Sequence, residues 1–165
     1  MKQLNIICIL ALVLILFGCT SPTDDSLQKM GILQQKYFVT SAYSTSQSTM
    51  TDYITSLSDL KKTATGDNAK IIETEIYLAE GFAYENRAMA ESIKLNYVSF
   101  NCSSTDAKAM IEYINFAFNS INSAQKDYDT LASSQKEKLR SNYGELLAGY
   151  KEKITQIKTF VETKC

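Results

Sequence analysis

The side chains best equipped for chemistry in this chain are carboxylates, thiols, lysines and a mid-chain band of hydroxyls and amides. Glu73, Glu75, Glu80, Glu85 and Glu91 fall within about five turns of one predicted helix. Paired carboxylates can do general acid–base work or hold a metal. The 165 residues contain no histidine, however. Without it there is no Ser-His or Cys-His catalysis, no His-metal site and no Glu-x-x-His di-iron centre. The glutamates are therefore read as a solvated face set among lysines. Lys151, Lys153 and Lys158 read as surface charges, with no apolar pocket to lower a pKa. No glycine-rich phosphate loop is present; Gly144 and Gly149 stand alone within a helix and read as points of close helix approach. No catalytic residue, metal site or cofactor is assigned, and the chain reads as a non-enzyme.

The hydroxyls and amides suggest binding instead. Ser44 to Thr49 is an unbroken run of hydroxyl and amide side chains. Asn86 falls on the apolar stripe of one predicted helix, and Asn115, Asn119 and Asn122 flank that of the next. Small residues (Ala83, Ala117, Ala148) stand at comparable heights. Such a waist could enclose a ligand, with Ser44, Ser48, Asn86, Asn115 and Asn119 as candidate lining residues and Tyr43, Tyr84 and Tyr113 as walls. The competing reading is a tightly packed waist with a few hydrogen-bonded asparagines. Five of the ten tyrosines, Tyr37, Tyr97, Tyr128, Tyr143 and Tyr150, fall on core stripes. They read as core with the hydroxyl at the edge, although tyrosines also suit interfaces.

The elements that must position these residues are helices. The single proline is Pro22, and beyond it apolar residues recur at steps of three and four. The last segment places Leu139, Tyr143, Leu146, Tyr150, Ile154, Ile157 and Val161 on one stripe, opened by a Ser134/Glu137 capping box. The segment before it carries Ala107, Ile111, Ile114, Phe118, Ile121 and Leu131, capped by Ser103 or Ser104. An earlier one carries Ala69, Ile72, Ile76, Ala79, Ala83, Ala90, Ile93 and Tyr97, with Asp67 as its cap. The first segment is less regular, and its hydroxyl run is read as continuing the helix. These patterns predict an all-α, up-down-up-down four-helix bundle over 24–165, with helices at about 24–62, 67–98, 104–131 and 134–164.

A formal charge of −1 leaves no basic footprint for nucleic acid. Ile6 to Phe17 is an unbroken apolar run that spans about 18 Å as a helix, short of a hydrocarbon core of about 30 Å. It suits the apolar region of a signal peptide. The run ends at Leu16-Phe17-Gly18-Cys19, which resembles the lipobox of prokaryotic membrane lipoproteins; Phe17 departs from the small or aliphatic residue usual there. The resemblance implies removal of residues 1–18, lipidation of Cys19, a polar tether over 19–23 and attachment to the extracytoplasmic face of the cell membrane or outer membrane. The implied partners are the membrane, through the lipid anchor, and an envelope or surface protein. In an up-down bundle Cys102 and Cys165 would lie at one end. A bridge between them is favoured, and such a compartment permits it. Free thiols or a cross-link to another chain remain the alternatives.

Overall fold

The computed structural model describes residues 25–37, 46–94 and 101–165, of which 93 and 94 as backbone only. The expected signal peptide, Cys19, the tether, Ser44 and Tyr97 lie outside the described residues. The described chain is all-helical: α1 (Ser26–Tyr37), α2 (Gln47–Thr63), α3 (Gly66–Lys94), α4 (Thr105–Thr130), the single-turn α5 (Ser133–Lys136) and α6 (Tyr143–Lys164). No strand occurs among the described residues.

Local chemistry explains most of the boundaries, and it corrects two expectations. The helix is not continuous through the hydroxyl run. Ser46 is extended (φ −68°, ψ 118°), and its Oγ accepts from the Thr49 N–H to cap α2. A serine side chain satisfies a free backbone donor at a helix start better than it supports a helix interior. The final helix likewise does not run from 134. The Gln135 side chain accepts from the Ala132 N–H at 2.6 Å to start α5. The chain then turns through 137–142 before α6 begins at Tyr143. That turn buries Leu139 and leaves Arg140 free to reach α3. Ser104 caps α4, accepting from the Ala107 N–H at 3.2 Å. Asp67 sits within the first turn of α3, behind Gly66, whose φ of +53° suits a residue without Cβ.

Helix α3 lies at the centre, in contact with α1, α2, α4, α5 and α6. It is buried on more than one face: Ile71, Ile72, Ile76, Leu78, Ala79, Phe82 and Ala88 are all in the core. Helix α4 packs along it most extensively. There Gly81 is essential, because a Cβ would sit 2.5 Å from Ile121 Cγ1. Gly144 lets α6 approach Tyr128, whose hydroxyl would lie 3.1 Å from a Cβ; Gly149, by contrast, faces open space. The core stripe of α4 runs through Ala107, Met110, Ile114, Ala117, Ile121 and Ala124. Ile111 and Phe118, expected on that stripe, are half-buried. Alanines let the backbones approach, and the larger side chains cover the seam from the sides.

Helix α2 runs alongside α3 from Glu73, which meets Lys61, to Arg87, which meets Gln47 once the Gln47 amide oxygen faces it (2.9 and 3.1 Å). Helix α6 rises beside α3 in the same sense. Tyr143 OH donates to Thr74 O, Tyr150 packs on Phe82, and Lys153 pairs with Glu85. Cys102 and Cys165 form a disulfide with Cα atoms 5.6 Å apart, tying the start of α4 to the end of α6.

Candidate functional site

Two of the glutamates read as a solvated face are buried, and this overturns that reading. Glu75 is 0% exposed and Glu85 1%. The reason is the central place of α3, which leaves little of its circumference wet. Burying a carboxylate needs a partner, and each has one. Glu75 Oε1 accepts from Tyr53 OH of α2 at 2.7 Å and from Arg140 Nη2 of the α5–α6 turn at 2.5 Å. Tyr143 OH, beside them, donates to Thr74 O at 2.7 Å. Two separate segments thus converge on one carboxylate of α3. Glu85 forms an ion pair with Lys153 of α6. Burial raises the Glu80 carboxyl above the usual carboxylate range.

The buried phenols respond to the same surroundings. Burial first, then the negative charge of Glu75, holds the Tyr53 and Tyr143 hydroxyls well above the ordinary tyrosine value. Burial and Glu85 push Tyr150 up to about 12. Below pH about 10 these phenols are protonated in both folded and unfolded chains and leave stability unchanged. Above it the unfolded chain releases protons that the folded chain retains, so stability falls as pH rises from about 10 through 12. Absorbance at 295 nm should therefore show a fraction of the tyrosines ionising only as the circular dichroism of the helices is lost. Smooth ionisation of all tyrosines near pH 10 with helices intact would contradict the burial.

The described amide and hydroxyl side chains of the proposed ligand lining, Ser48, Asn86, Asn115 and Asn119, do not converge. Ser48 is exposed and bonds to Ser46 Oγ at 3.1 Å. Asn115 and Asn119 are exposed; Asn115 Oδ1 accepts from Lys158 Nζ at 3.0 Å and borders a small surface cleft of about 180 Å³. Asn86 is half-buried, and its Nδ2 has no hydrogen-bond partner among the described residues. Helical phase placed Asn115 and Asn119 beside a stripe, and the alanine-rich seam of α4 rotated them outward.

A larger opening lies elsewhere, beyond the start of α2. From Arg87, α3 continues to Lys94, about 10 Å further. Along this stretch α3, α4 and α6 enclose a groove of about 520 Å³. Ala88, Met89 and Ser92 form one wall, Met110 and Ile114 the floor, and Ile157, Phe160 and Val161 the other wall. Met89 and Phe160 remain 42% and 41% exposed at its rim. Lys153 and Gln156 complete the lining, which contains no acid. Sequence reading missed the groove because its residues sit on three helices, and of them only Ile114, Ile157 and Val161 fall on the expected stripes.

Among the described residues, no group of three or more His, Cys, Asp or Glu side chains could hold a metal ion. No helix among them is long and apolar enough to cross a membrane. No family model, no curated protein and no solved structure matches the chain.

Proposed function

We propose that this chain is a lipid-anchored, extracytoplasmic helical lipoprotein with a binding or scaffolding role at the cell envelope. The observation that carries the reading is the Cys102–Cys165 disulfide. Such bonds persist in oxidising compartments outside the cytosol, which is where a chain beginning with a signal segment and Leu16-Phe17-Gly18-Cys19 would be delivered. In this reading Cys19 carries the lipid, and the helices form an up-down-up-down four-helix bundle with α1 and α2 as its first arm. Several acyl chains on Cys19 give stable attachment where one would be marginal. Exposed Met89 and Phe160 support a binding role, since apolar side chains gathered at an open groove mark contact sites.

The test is fractionation of cells expressing the full chain. The unaltered protein is expected in the detergent-soluble membrane fraction, with an intact mass of Cys19–Cys165 plus acyl groups. Cys19→Ser is expected to move it out of that fraction or leave residues 1–18 attached. An unlipidated soluble product from the unaltered chain would end the anchor reading.

A second reading, a small-molecule-binding lipoprotein, is favoured by the groove between α3, α4 and α6. The Ser/Asn waist does not support it.

A further inference from the structure

We propose that the groove between α3, α4 and α6 binds a medium-chain fatty acid, its acyl chain lying along α6 and its carboxylate beside Lys153. The proposal deepens the ligand-binding reading. It does not depend on lipidation of Cys19.

The shape and lining favour a chain over a ring or a peptide. From Lys153 to Val161, α6 rises about 12 Å, so the opening is elongated. Its floor and walls are almost wholly apolar, with Met89 and Met110 able to adapt to a flexible occupant. Ser92, the one hydroxyl among the described residues of the lining, donates to Met89 O at 2.7 Å. A peptide backbone or a heterocycle would therefore bury polar groups without partners. An alkyl chain has none to satisfy.

The charge pattern selects the head group. Lys153 carries the only formal charge among the described residues of the lining. Its ammonium stays half-exposed while it pairs with buried Glu85, and a lysine has three donors. Glu85 is the reason the lysine is there: the buried carboxylate holds Lys153 at the end of the groove.

The experiment uses the mature chain with Cys19→Ser, which removes the need for detergent and retains the Cys102–Cys165 bridge. Methionine methyl groups are labelled with carbon-13, and sodium octanoate, sodium decanoate, decanol and decylammonium are titrated below their micelle concentrations. The Met89 and Met110 methyl signals are expected to move with decanoate; those of Met30 and Met50, buried in the core, are expected to stay. Decanoate should bind more tightly than octanoate, by up to about fourfold for each added methylene that enters the groove. Phe160→Ala should weaken decanoate roughly fivefold to tenfold. Decanoate should be preferred to decanol and decylammonium. Lys153→Gln should abolish that preference. Because it strands Glu85, Lys153→Arg serves as the paired variant and should retain it. Unmoved Met89 and Met110 signals overturn the proposal, as does equal affinity for all three head groups. Concentration-dependent shifts of the same methyls without ligand would identify a second copy of the chain as the occupant and overturn it equally.

Discussion

Arg140→Ala is expected to destabilise the folded protein by about 3–5 kcal/mol, because it leaves a carboxylate buried without its cation. Glu75 is 0% exposed and Arg140 only 12%, so water cannot replace the lost guanidinium without opening the core. Tyr53→Phe removes one neutral donor to the same carboxylate and should cost less, about 1–3 kcal/mol. The double replacement Glu75→Met with Arg140→Met removes both charges and should cost far less than the two single losses added. Urea denaturation of these variants, with Glu75→Met and Arg140→Met alone, reads the pattern directly. A loss below about 1 kcal/mol in Arg140→Ala would mean that water reaches Glu75 in the native state. Since Glu75 also gathers α2 and the α5–α6 turn onto α3, these variants should loosen Gln47–Thr63 before they loosen α4.

The disulfide is expected to have the second large effect. It closes a loop of 63 residues in sequence, and on the chain-entropy account a loop of that size stabilises by about 4 kcal/mol. Replacing Cys102 and Cys165 together by serine should lower the unfolding free energy by about 2–4 kcal/mol, with engineered losses usually at the lower end. Amide exchange should rise first at Phe160 to Lys164, the last turn of α6. There the Cys165 N–H donates to Val161 O at 2.9 Å and the bridge supplies the covalent tie. Unchanged exchange in that turn, with full stability retained, would show that packing of Val161 and Phe160 alone holds the helix end.

Both effects involve contacts across 60 residues or more, and they mark where sequence reasoning stopped. Helical class and the Ser104 cap are local matters. Each depends on side chains within one or two turns, on the 3.6-residue period and on the lack of proline beyond Pro22. Ser46 and the 137–142 turn were misread although their signals were also local. At the first, the Ser46 hydroxyl takes a backbone N–H, and the apolar stripe on either side conceals both breaks.

Burial was a different kind of question. Glu73, Glu75, Glu80 and Glu85 look alike in sequence, and nothing near them in the chain separates a wet carboxylate from a dry one. Glu75 is dry because α3 became the central helix, and it is tolerated because Arg140, 65 residues away, turns out of a helix to meet it. The groove has the same origin. Met89, Met110 and Phe160 each follow an ordinary helical pattern, and only the packing of three helices beyond the start of α2 brings them around one opening. The sequence by itself determined the helices, through short-range hydrogen bonding and periodic apolar side chains. The tertiary structure decided which faces lost their water, because desolvation depends on every neighbour a residue acquires and not on its place in the chain.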